Sequence, residues 1–152
     1  MSRKTLASLG ILLVAIATGA LHDFLAVNLN YQLHHVEHHS AFSFAHSKFQ
    51  AWVHGWGARE LRWLKWSLAA GFIAINLVLA IGLARIRFGH HRYRTPLIIG
   101  FAAVAVCALI AQFLASSIGG MGTLSIKLLH ALQYPVVLLL IWAASWSGGT
   151  SR

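Results

Sequence analysis

The sequence predicts an all-α integral membrane protein: four transmembrane helices in an up-down bundle, with a long histidine-rich connection after the first. Three observations carry this. Hydrophobic residues make up 58% of the 152 residues and charged residues only 10%, far below the roughly 25% of a soluble domain. The apolar residues gather into four runs of about 20, the length that crosses a hydrocarbon core of roughly 30 Å. Seven of the ten histidines lie between His22 and His54, in and just before the longest break between runs.

The first run spans Leu6–Val27 and the second Trp66–Ala84. The third spans Leu97–Ser116 and the fourth Leu124–Trp146. The second and third contain no charge. Arg3-Lys4 and the small residues Ala17–Ala20 also fit a cleaved leader peptide. The apolar character continues through Phe24, Leu25, Ala26 and Val27, so the first run is read as a span. Pro96 suits the first turn of the third helix, and Tyr134-Pro135 predicts a kink in the fourth. Gly71, Gly82 and Gly100 read as close-packing positions, and Cys107 as core. No internal repeat is visible, and residues 1–152 read as a single membrane domain.

Lysine and arginine total 12 against three acids, Asp23, Glu37 and Glu60. The basic residues occupy the breaks between apolar runs and form no single polar face, so nucleic acid is excluded as a partner. Their partner is the bilayer, where they set orientation and meet headgroups. Arg85, Arg87, Arg92 and Arg94 crowd one short loop, and Arg3, Lys4 and Arg152 share its side if there are four spans. Both termini are then cytoplasmic, as in a bacterial inner membrane, and residues 28–65 are exoplasmic. The lone Cys107 excludes a disulfide scaffold and a paired-thiol relay. No phosphate-binding loop or local Ser-His-Asp arrangement is present.

The chemistry concentrates in the histidines. His34, His35, Glu37, His38 and His39 form a dense core. On a helix, His34/His38 and His35/His39 lie one turn apart, the spacing that sets two imidazoles on one ion. Neutral imidazole suits copper, zinc or iron. Continued as a helix through residues 33–57, the apolar face carries His35, His39, His46, Phe42, Phe49 and Val53. That amphipathic helix either docks on the bundle or lies in the lipid interface. The expected metal ligands are His34, His35, His38, His39 and His46, with Glu37 as a further ligand or an acceptor behind them. His22 and His130 match in depth on the first and fourth spans, where they can complete the site or ligate a haem b. Asp23 and Lys127, also matched in depth, are expected to pair. Lone Asn76 and Gln112 are expected to hydrogen-bond between helices.

The segment Asn30-Tyr31-Gln32, followed by His35, Glu37, His38 and His39, is similar to one histidine box of membrane di-iron desaturases and hydroxylases. Those enzymes converge several boxes, and the likeness here covers about ten residues. No histidine follows His22 at box spacing, and His90-His91 falls on the other side. The resemblance implies that iron is chemically compatible with this segment and does not extend to the family. The functional expectation is an exoplasmic transition-metal site, for metal handling or metal-centred redox chemistry. The alternative is a non-catalytic accessory subunit of a respiratory, photosynthetic or oxidase complex, with other subunits as partners of the aromatic and histidine face.

Overall fold

A computed structural model describes residues 3–89, 93–115 and 117–147. His90, His91, Arg92, Ser116 and Arg152 lie outside these. Every element among the described residues is helical: α1 (Arg3–His38), α2 (Ser47–Trp52), α3 (Ala58–Phe88), α4 (Arg94–Leu114), α5 (Met121–Gln133) and α6 (Val136–Ser147). Helices α1, α3 and α4 are each long and apolar enough to cross a membrane. The pair α5 and α6 qualifies only together, bent by 55° at its junction. Three such helices, or four with the bent pair as one span, fit an integral membrane protein.

The helices overrun the apolar runs that announce them. With 36 residues, α1 is about 54 Å long at 1.5 Å per residue. With 31, α3 is about 46 Å long. Both exceed a hydrocarbon core of roughly 30 Å. Hydropathy marks where lipid is tolerated, not where a helix stops. Residues 28–38 stay helical because Leu25, Leu29, Leu33 and Val36 continue one apolar stripe, which is packed.

What stops α1 is a local motif. His39 takes a left-handed φ of 48°, and the Ser40 N–H reaches back to the His35 carbonyl at 3.3 Å. This is a Schellman termination with histidine where glycine usually sits. The expected continuous helix over 33–57 therefore does not form. The Ser43 hydroxyl accepts from the Ala45 N–H at 3.2 Å, a local bond that competes with helix. Only Ser47–Trp52 is helical, and Gly55, at φ 79°, turns the chain toward α3.

The described residues cluster into two compact units, and the division falls inside α1 and α3. Unit 1 comprises the described residues of Met1–Gly19 and Ile73–Arg152. Unit 2 is Ala20–Phe72. Each has its own core.

Unit 1 buries Leu12, Ala15, Ala80, Leu83, Phe101, Leu132 and Leu138 together. Several of its hydroxyls donate to backbone carbonyls, which keeps them satisfied where water is scarce. Ser8 and Thr18 each bond the carbonyl four residues back, at 2.8 Å. Ser125 on α5 donates to the Ala108 carbonyl on α4 at 2.8 Å. Arg87 donates through Nε to Ser145 Oγ at 2.7 Å. Pro96 lies in the first turn of α4, as expected. Gly82 approaches Ile11, whereas Gly71 and Gly100 face open space. Cys107 is exposed, so it does not belong to the core.

The bend between α5 and α6 has a chemical cause. Pro135 has no N–H to offer the carbonyl four residues earlier, and Tyr134 is extended, at φ −97° and ψ 158°. The break frees carbonyls that a continuous helix would satisfy. Asn76, 1% exposed on α3, donates its Nδ2 to one of them, the Gln133 carbonyl. The expected interhelical hydrogen bond of Asn76 is thus present, directed at broken backbone rather than at another side chain.

Candidate functional site

The histidine-rich segment belongs to unit 2, whose core is Leu29, Leu33, Ala45, Phe49, Val53 and Leu61. Two of the residues expected on the apolar face of 33–57, Phe49 and Val53, are buried there at 3% and 1% exposure. The histidines are not. His34, His38, His39, His46 and His54 are exposed and His35 is half-buried. Phe42 is also exposed. The segment docks by its aliphatic and phenyl groups and turns its imidazoles outward.

Polar contacts fix this docking. Asn28, buried in register with the leucine stripe, accepts the His46 N–H through Oδ1. Its Nδ2 donates to the Phe24 carbonyl at 2.6 Å. Gln50 donates to the Ser43 carbonyl at 3.2 Å and to the Ala45 carbonyl. Lys65 donates to Asn30 Oδ1 at 2.9 Å. Glu37 takes Arg62 Nε at 3.3 Å, so its carboxylate faces α3. Residue typing alone did not single out Asn28. The available signal was an amide in step with Leu25, Leu29 and Leu33.

The structure brings His34 and His38 together on the exposed face of α1. Their rings stack with centroids 4.3 Å apart and planes 17° from parallel. His38 Nδ1 lies 3.1 Å from the His34 carbonyl. A carbonyl only accepts, so this assigns the proton of His38 to Nδ1 and leaves Nε2 with a lone pair. His35 resolves by the same logic. The Ser40 hydroxyl gives its one proton to the Phe42 carbonyl, so its oxygen accepts from His35 Nδ1 at 3.0 Å. His35 too keeps a basic Nε2. This is the ring arrangement of metal-ligating histidines, with the second nitrogen held by an oxygen.

His46 is different. It caps α2, and its Nδ1 accepts the Lys48 N–H at 3.2 Å. The proton of the neutral ring then sits on Nε2. This ring serves the helix end, and its exposed nitrogen is a donor. His39 occupies the left-handed turn that ends α1.

His22 and His130 fall in different units. His22 continues the Leu25–Leu29–Leu33 stripe and is 6% exposed. Its ring meets Phe72 edge-on at 4.9 Å, and its Nδ1 lies 3.7 Å from Asp23 Oδ1. His130 is exposed on α5 and contacts the Tyr134 ring at 5.7 Å. Among the described residues, no three His, Cys, Asp or Glu side chains converge on one point. What the fold provides is a two-imidazole pair, flanked by His35 and His39. No protein-family model, no curated protein and no solved structure matches this chain.

Proposed function

We propose that this membrane protein holds an exchangeable transition-metal ion, copper, zinc or iron, on the histidine face at the end of α1. The observation that carries the reading is the stacked His34–His38 pair, one helical turn apart and exposed. His38 and the adjacent His35 have Nδ1 anchored and Nε2 basic. Two imidazoles on one helix face suit a borderline metal. They leave coordination positions open to water or to a donor on another molecule, which favours metal handling over permanent storage. His34 and His38 are the primary ligands, and His35 and His39 lie within one turn of them. Glu37, engaged with Arg62, and His46, engaged as a cap, stand outside the ligand set.

In this reading α5 and α6 form one broken fourth span of an up-down bundle. Both termini and the arginine-rich loop at 85–94 then share the cytoplasmic side, and residues 28–65, with the histidine face at the end of α1, are exoplasmic. The asymmetry of Lys and Arg between loops supports that orientation.

The test uses the full chain purified in detergent without a histidine tag. The protein is stripped of metal and titrated with Cu²⁺ and with Zn²⁺ by equilibrium dialysis, and bound metal is counted by mass spectrometry. One ion per chain is expected. H34A/H38A should weaken binding by about tenfold or more, the scale on which site residues act. H46A should leave it within about twofold if the ring is only a cap. Undiminished binding in H34A/H38A, or an equal loss in H46A, overturns the assignment.

A further inference from the structure

The start of α3 carries a second cluster that the metal reading does not use. Arg59, Arg62, Trp63 and Trp66 stand at i, i+3, i+4 and i+7, which places them on one helix face. They line an open hollow of about 550 Å³. Trp63 is 65% exposed and Trp66 51%, so neither indole serves the core. Glu37 engages Arg62 through Nε, which orients the guanidinium. The four N–H donors on its two Nη atoms are not used by that contact. Arg59 enters no ion pair among the described residues.

The position of the cluster along the chain identifies its depth. Arg59, Glu60, Arg62 and Lys65 are the last charges before a charge-free, largely apolar stretch that runs to Arg85. Charge therefore ends where the tryptophans stand. Indole rings favour the boundary between hydrocarbon and headgroup, with an apolar body and an N–H donor. Guanidinium groups match phosphate with planar, paired donors. A ligand suited to this face has an anionic phosphate beside Arg59 and Arg62 and an apolar portion against the indoles.

We propose that Arg59, Arg62, Trp63 and Trp66 form a binding site for the phosphate headgroup of one anionic phospholipid. The guanidiniums hold the phosphodiester, and Trp63 and Trp66 lie along the glycerol and the first acyl carbons. The chemistry shared with free inorganic phosphate is the anion; the apolar indoles assign the site to a lipid. The proposal does not depend on metal binding.

The test is lipid retention by the full chain in detergent. The protein is incubated with equal amounts of phosphatidylglycerol and phosphatidylcholine of the same acyl chains. Retained lipid is then counted by native mass spectrometry. One phosphatidylglycerol per chain is expected, with a preference of about tenfold over phosphatidylcholine, the scale of one to two basic residues at a membrane surface. R59Q/R62Q should reduce the preference to within about twofold. E37Q removes the competing carboxylate and keeps both arginines, so it should retain or raise the preference. If R59Q/R62Q does not fold, R59Q alone, which breaks no ion pair, should cut the preference by about threefold. Equal retention of the two lipids, or an unchanged preference in the arginine variants, overturns the site. Displacement of phosphatidylglycerol by inorganic phosphate overturns the lipid assignment in favour of a soluble anion.

Discussion

In unit 2 the buried asparagine, Asn28, ties a loop to a helix; in unit 1 the buried asparagine, Asn76, ties a helix to the broken backbone of another. Both are amides in apolar surroundings, where a lone polar group is expensive. They solve different problems. Segment 39–57 makes few regular hydrogen bonds and needs an anchor to hold Phe49 and Val53 in the core. The α5–α6 junction is held in place by packing but carries carbonyls that Pro135 has left without donors. The same side chain supplies position in one unit and satisfaction in the other. The loss of each should therefore look different.

The largest effect is expected at Asn28. N28A removes the acceptor for the His46 N–H inside unit 2 and should destabilise the protein by about 2 kcal/mol, within the range for a lost buried partner. Trypsin should cut after Lys48 faster in N28A than in the parent, because the loop then opens locally. If the stability loss appears without the faster cut, Asn28 is a core residue and not an anchor.

Asn76 comes next. N76A should cost about 1 kcal/mol, the usual scale for a polar contact between membrane helices. The sharper measurement is a double-mutant cycle with P135A. Alanine at 135 removes the ring that forces the break and lets the helix run on, so that the Gln133 carbonyl takes the N–H of Val137. N76A should then cost close to nothing, measured by unfolding in mixed detergent. Additive losses would sever Asn76 from the break.

The smallest effect has the opposite sign. H39G places the residue without a Cβ at a φ of 48° and should stabilise the protein by about 0.5 kcal/mol, since glycine adopts that region without strain. Metal titration of the same variant sharpens the functional reading. Unchanged affinity confines His39 to ending the helix, whereas weakened binding brings it into the ligand set beside His34 and His38.

Much of the architecture was legible because it rests on local chemistry. Apolar runs of membrane length, Pro96 at a helix start and Tyr134-Pro135 at a break all act within a few residues. The helix ends were not legible. Residues 28–38 and 58–65 look like connection by hydropathy, yet tertiary packing of Leu29, Leu33 and Leu61 keeps them helical. The pairing of His34 with His38 follows from spacing alone, once that stretch is helical. The roles of His46, Glu37 and Asn28 do not, because each depends on a partner distant in sequence or on a cap that forms only after docking. The Arg59–Trp66 face was readable as an i, i+3, i+4, i+7 pattern. It was obscured by the histidines, which drew the chemistry to one segment.

The division into two units also sets an order of assembly. Unit 2 is one uninterrupted stretch, Ala20–Phe72, so everything its core needs has left the ribosome once Phe72 has. Unit 1 joins two stretches that lie on either side of unit 2 in the sequence. Leu12 and Ala15 share a core with Leu132 and Leu138, and those partners are made only after the whole of unit 2. During synthesis the first half of α1 must wait in lipid while Asn76 stands ready for a carbonyl not yet translated. Truncation shortly before Leu132 should therefore leave a formed unit 2 and an unclosed unit 1, with Leu12 and Ala15 lacking their packing partners.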